Sequence, residues 1–259
     1  MISFTTAELN AWIAAFFFPL ARILALLAAA PPFSNVGVPT RVRLQLALAI
    51  VFVVAPVLPE PPPIAPASGA GLLILAQEML IGYSMGFSLR LVFAAIDKAG
   101  SMISHQMGLG FATAYDPQSA SQTAVVSEFI GILALLLFLS IDGHLMVIDT
   151  LAESFKAIPI GTDRVSEQSW LNIAKAGGIV FSSGVLLALP IVVTLLITNN
   201  AIAILGRVAP QLHLMVIGFS VIILLGFASL RIATSYLGTP LLELFDYGLQ
   251  SMLKLFAFR

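Results

Sequence analysis

Runs of about twenty apolar residues recur along this chain, and nearly every one is interrupted by a proline, a glycine or an ionised side chain. A helix needs about 20 apolar residues to cross a bilayer. Windows of that length fall near residues 10–30, 43–59, 71–96, 126–147, 178–198 and 212–236. Hydrophobic residues make up 59% of the chain and charged residues 10%, against about 25% charge in a soluble globule. Too few polar groups remain to cover a water-facing surface, so the expected fold is an all-α integral membrane protein of about six kinked apolar segments. The net charge of −1 offers no electrostatic footprint for nucleic acid. Cysteine is absent, which excludes disulfides and thiolate metal sites.

The interruptions are as informative as the runs. The first segment holds Pro19 and Arg22, the second stops at Pro56 and Pro59, and the third carries Glu78 and Arg90. A charge at the bilayer centre costs at least about 2.5–3.5 kcal/mol, so these helices are expected to pack on other helices rather than on lipid. The buried-charge candidates are Arg22, Glu78, Arg90, Glu128 and Arg231. They read either as ion pairs that fix helix register, Glu78 pairing with an arginine of another helix, or as a proton relay. Gly82 and Gly86, with Ser84 and Ser88, form a small-residue face on which a second helix can approach closely.

The first apolar run ends in ALLAAAPP, which resembles a signal-peptide cleavage site, but Glu8 precedes it and no Lys or Arg does. A retained membrane helix is the expectation. Pro59 to Gly71 reads as a stiff extended linker. Ile141 to Gly161 places Asp149, Glu153 and Lys156 on one helical face, with Leu145, Ile148, Ala152 and Phe155 opposite. Gly161 to Lys175 is the most water-like part of the chain. The last two apolar segments make a hairpin whose turn contains Arg207, Pro210 and Gln211, and a tail with Glu243, Asp246, Lys254 and Arg259 follows. Lys and Arg in the connections divide almost evenly between the two sides, so the positive-inside rule gives no firm orientation. RVxxQLxL recurs at Arg41–Leu48 and Arg207–Leu214; such an echo arises by coincidence in a Leu-rich chain or from related halves.

One stretch fits neither helix nor soluble loop. His105 to Gln122, HQMGLGFATAYDPQSASQ, has Asp116 as its only ionised residue and sets Gly108, Gly110 and Pro117 among Met107, Leu109, Phe111 and Tyr115. Irregular backbone survives at membrane depth only where protein buries it or it lines an aqueous cavity. It is expected to fold back into a pore or against a partner, unless it packs on its own protein outside the bilayer. No catalytic constellation accompanies it. His105, His144 and His213 stand in no ligand spacing, no GxSxG elbow occurs, and Asp142-Gly143-His144 reads as a helix-end turn with Gly143 as the breaker. Neither a metal, a cofactor nor an enzymatic activity is expected.

Six blocks occur in order: APPFSNVGVPTRVRLQLALAI (Ala30 to Ile50), QEMLIGYSMGF (Gln77 to Phe87), RLVFAAIDKAG (Arg90 to Gly100), QMGLGFATAYDP (Gln106 to Pro117), DGHL (Asp142 to Leu145) and RVAPQL (Arg207 to Leu212). Together they resemble the FliR family of flagellar biosynthetic proteins, the export-gate subunits shared with virulence type III secretion systems. His213 departs from the asparagine expected after Pro-Gln-Leu. The resemblance implies a core subunit of an export gate in the bacterial inner membrane, at the flagellar basal body. It implies assembly with FliP and FliQ subunits, association with FlhB and FlhA, and passage of unfolded flagellar subunits through a central channel. It also implies a FliP-like portion at 1–165 and a FliQ-like hairpin with the tail at 166–259. The family's channel plug falls on Gln106 to Gln122. Met107, Leu109 and Phe111 would then seal the idle channel, Gly108 and Gly110 would serve as hinges, and Asp116-Pro117 would fix the turn. The alternatives are a self-contained transporter for a small solute and the equivalent gate subunit of a virulence type III secretion system.

Overall fold

The computed structural model describes residues 6–35, 37–59, 62–109, 124–161, 167–208 and 214–254. They form helices α1 (Thr6–Ala29), α2 (Thr40–Val54), α3 (Gly69–Gln106), α4 (Val125–Ser140), α5 (Gly143–Ala157), α6 (Glu167–Val208), α7 (Leu214–Thr234) and α8 (Gly238–Lys254), with a 3₁₀ turn at Ala55–Val57. Among the described residues there is no strand. Among the described residues four segments, α1, α2 together with the 3₁₀ turn that follows it, α3 and α6, are long and apolar enough to cross a membrane. The count reaches six if the broken pairs α4–α5 and α7–α8 each make one span. The chain is an all-α membrane protein.

Prolines set several ends. Pro31 and Pro32 follow α1 after a single residue, Ala30, and Pro39 precedes α2, its carbonyl accepting from the amides of Val42 and Arg43. Proline fixes φ for a first turn and lacks the amide that an interior position needs. Pro56 stops α2 in the 3₁₀ turn. The proline linker ends at Ser68, whose Oγ accepts from the Gly71 amide at 3.1 Å and so caps α3.

Helix α3 has 38 residues and α6 has 42, so each is about 57–63 Å long at 1.5 Å per residue. Both outrun the apolar windows at 71–96 and 178–198. The polar ends, Asp97 to Gln106 on α3 and Glu167 to Lys175 on α6, remain helical. His105 and Gln106 are thus the last turn of a helix rather than irregular chain. The expected segment 126–147 is not one helix either. Asp142 adopts a left-handed conformation, φ 57°, and separates α4 from α5. Asp tolerates that region better than most residues, and Gly143, expected to be the breaker, is instead the buried first residue of α5. The C-terminal tail is also a helix. In α8, Leu241, Phe245, Gly248 and Met252 are buried at intervals of three and four, while Glu243, Asp246 and Gln250 face outward.

Packing divides the chain into two units: Met1–Leu91 with Asp142–Ala176 and Phe245–Arg259, and Val92–Ile141 with Gly177–Leu244. In the first, α1 and α3 meet at Gly82 and Gly86. A Cβ on Gly82 would stand 2.0 Å from the Arg22 carbonyl oxygen, and one on Gly86 would stand 2.7 Å from that of Leu26. Phe16 of α1 meets Phe52 of α2 edge-on, with ring centroids 5.2 Å apart. In the second unit a Cβ on Gly100 of α3 would lie 2.4 Å from the Ser127 Cα of α4. Ser127 Oγ donates to the Asp97 carbonyl at 2.8 Å and also meets the Asp97 carboxylate. Phe93 and Phe138 pack edge-on beside this crossing.

Candidate functional site

Among the described residues, two places bring several polar or conformationally special groups together. The first, in the unit that holds α1, is built around Arg22. Arg22 is wholly buried in the apolar α1, and Glu78 of α3 is 1% exposed. Arg22 Nε donates to Glu78 Oε2 at 2.7 Å. Its two other nitrogens donate to Ser154 Oγ of α5 at 3.2 Å and to the Ile158 carbonyl just past α5 at 3.0 Å. The guanidinium also lies 4.1 Å from the centroid of the Phe155 ring, a cation–π contact. One cation therefore ties three helices together, and it satisfies a carbonyl at a helix C-terminus that has no intrahelical partner. Ser154 on the inner face explains why α5 is rotated from its expected setting, while Phe155 lies inward as its spacing predicts. Val147, Leu151, Ser154 and Phe155 are buried while Leu145 is 54% exposed. Asp149, Glu153 and Lys156 stand exposed, as their spacing predicts.

The other charge candidates lie differently. Arg90, Glu128 and Arg231 are exposed on the chain, so the expectation that they are buried within it is corrected. Burial by a neighbouring subunit or by lipid leaves the same hydropathy signature as burial within the chain, and sequence does not separate them. Arg207 lies in the last turn of α6 rather than beyond it. Pro210 and Gln211, like His213, fall outside the described residues.

The second place is the C-terminal end of α3, in the other unit. Gly108 has φ 76°. Its amide donates to the His105 carbonyl at 3.0 Å, and the Leu109 amide donates to the Ser104 carbonyl at 3.1 Å. These two bonds around a left-handed glycine are a Schellman cap, so Gly108 closes a helix and is fixed rather than hinged. Met107 is wholly buried against Gly226 of α7, not free as a sealing side chain. Gln106 and Leu109 are half-buried. Beside the cap a groove of about 480 Å³ opens between the end of α3 and the α6–α7 hairpin. His105, Gln106, Asn199, Ile202, Gly206 and Phe219 are among its walls. Gly110, Phe111, Tyr115, Asp116 and Pro117, the rest of the predicted plug, fall outside the described residues.

Neither place has the layout of a reaction centre; one is a structural pin and the other a capped helix end beside a groove. Residues 13–248 match the family described as bacterial export proteins, family 1. The chain belongs to the FliR family. It is 44% identical over 231 residues to the flagellar biosynthetic protein FliR of Pectobacterium carotovorum subsp. carotovorum, covering 89% of this chain and 88% of that one. Against FliR of Escherichia coli (strain K12) the identity is 40% over 243 residues, covering 94% and 92%. Against FliR of Bacillus subtilis (strain 168) it is 28% over 246 residues, covering 94% and 95%. As a FliR-family chain it is a flagellar biosynthesis export component, a multi-pass membrane protein of the flagellar export apparatus.

Sequence reasoning found Arg22 and Glu78 and the inward face of Phe155, but missed Ser154, the Ile158 carbonyl and the contact of Phe155 with the cation, which carry no mark beyond their place on a helix face. It also missed Gly226. The only signal there is a glycine in the interior of an apolar helix, LLGFASL, where it is unfavourable.

Proposed function

We propose that this chain is a core subunit of the flagellar type III export gate, forming part of the channel through which unfolded flagellar subunits cross the bacterial inner membrane at the basal body. It assembles there with FliP and FliQ subunits and associates with FlhB and FlhA. Residues 1–165 stand for a FliP-like portion and 166–259 for a FliQ-like hairpin with the C-terminal helix. Leu109, Gly110, Phe111 and Tyr115 supply the apolar plug, turned by Asp116-Pro117.

Family membership supports this reading, and one observation carries it physically: Arg90 is exposed near the middle of the 38-residue helix α3. In lipid a central arginine costs at least about 2.5–3.5 kcal/mol. A chain that worked alone would bury it; a chain that works in an assembly leaves it for a neighbour or for an aqueous conduit. That is also the argument against a self-contained solute transporter.

The test is purification from native membranes followed by conductance. Recovery of the chain in a FliP-containing complex of several subunits supports the gate. Deletion of Gly110 to Ala114, which leaves the Gly108 cap intact, should raise ion leakage through a complex that still assembles. Unchanged conductance in that assembled variant rejects the plug.

A further inference from the structure

Gly226 sits buried in the interior of α7, where glycine is less favourable than alanine by about 1 kcal/mol. The missing Cβ has a definite use. A Cβ there would stand 2.7 Å from Met107 Cγ, 2.9 Å from its Sδ and 2.6 Å from its Cε. The Met107 side chain thus fills the place of the absent methyl, and it is itself 0% exposed. The next two residues are the Schellman cap, so the chain's direction on leaving α3 is set by the amides of Gly108 and Leu109. The flanks hold the helix end less firmly. His105 is exposed, Gln106 is half-buried, and the groove of about 480 Å³ lies alongside them.

We propose that Met107 and Gly226 form a knob and notch that couple the end of α3 to α7, and so fix the point from which the chain leaves α3. Met107 is then a positioning residue for whatever follows it and takes no part in closing the channel itself. A long unbranched thioether suits this place because it conforms to an irregular notch, and Gly226 is the one residue type that leaves the notch open. The coupling stands on the contact and the cap alone. Its consequence for leakage rests on the plug reading given above.

The experiment uses the full chain in its assembled complex, with Met107→Ala, Gly226→Ala and the double variant. Hydrogen exchange at the amides of Gly108 and Leu109 reads the anchor, and ion conductance reads the plug. Each single substitution should speed exchange about tenfold, a coupling of ordinary size for contacting residues. The double variant should exchange markedly more slowly than the product of the two effects, since the alanine methyl at 226 enters the space that Met107 vacates. The sign at Gly226 is diagnostic, because helix propensity alone predicts slower exchange for alanine. Unchanged or slower exchange in Gly226→Ala, or a double variant equal to the product, overturns the coupling. Should Gly226→Ala prevent assembly, recovery on adding Met107→Ala supports the coupling and failure to recover overturns it. Coupled exchange with conductance unchanged in all three variants upholds the anchor and rejects the plug.

Discussion

Replacing Glu78 by glutamine keeps the volume of the side chain and one acceptor for Arg22 Nε, removes the negative charge and turns the second oxygen into a donor. In the native chain the guanidinium is 0% exposed and Glu78 is 1% exposed, so water does not make up the loss. The remaining acceptors, Ser154 Oγ at 3.2 Å and the Ile158 carbonyl at 3.0 Å, are neutral. An unpaired buried charge of this kind costs about 3–5 kcal/mol, a large part of the roughly 5–15 kcal/mol that holds a domain folded. Arg22→Met should cost a similar amount by stranding the carboxylate. The double variant Arg22→Met/Glu78→Gln removes both charges and should cost far less than the sum. What persists is the Ile158 carbonyl and the buried carboxamide at position 78, each without a partner, at about 1–3 kcal/mol apiece, while Ser154 Oγ keeps its own bond to the Leu151 carbonyl at 2.7 Å. The assay is equilibrium unfolding of the three variants in mixed micelles, with recovery of assembled complex from membranes alongside. Loss of assembly in Glu78→Gln, partly recovered in the double variant, is the expected result. If Glu78→Gln unfolds and assembles like the parent while export is lost, the pair is a relay rather than a structural pin.

Close glycine contacts give further expectations. Gly82→Ala should lower the same unfolding midpoint, because the new methyl would meet the Arg22 backbone at 2.0 Å; overpacking of about 1–3 kcal/mol outweighs the gain in helix propensity. Gly178→Ala, with nothing within 4 Å of the added carbon, should leave the isolated chain unchanged or up to about 1 kcal/mol more stable. Gly108→Ala should cost about 1–2 kcal/mol for the left-handed conformation, seen as faster hydrogen exchange in the last turn of α3. Ser154→Ala removes one charged hydrogen bond from Arg22 and should cost about 1.5–3 kcal/mol in micelle unfolding.

Hydropathy placed the apolar cores of the helices because it measures the solvent a segment avoids. It did not place their ends, since Asp97, Lys98, His105 and Gln106 are polar yet continue α3. For the same reason α8 passed as a tail although its buried stripe was present in the sequence. The small face at Gly82 and Gly86 was legible because close helix approach needs missing side chains at a fixed spacing. Met107 was legible as an unusual residue but not in its role, because its partner Gly226 lies on a distant helix and nothing local links them. Asp142 was overlooked in favour of Gly143 because glycine is the commoner left-handed residue. Here the buried position at the start of α5 went to the residue without a side chain, and the left-handed turn fell to its neighbour.

The charges in the apolar helices sort themselves by what the chain does for them. Arg22 receives a carboxylate from α3, a hydroxyl and an aromatic face from α5 and a carbonyl from the residue just past α5, and loses all contact with the exterior. Arg90, three turns beyond Glu78 on the same helix, is left exposed. The cost of an arginine in hydrocarbon is the same for both, so the difference tells where each finds its compensation. Arg22 must hold the chain's own helices before and after assembly, which predicts that its loss is felt in the isolated subunit. Arg90 is compensated only by surroundings outside the chain, so Arg90→Leu should leave micelle unfolding of the isolated subunit unchanged or slightly improved. Its effect belongs in the recovery of the assembled complex or in its conductance. An Arg90→Leu chain that is destabilised alone and yet assembles and exports normally would show that the exposed arginine serves the subunit itself, and would remove the physical support for reading this chain as part of a larger gate.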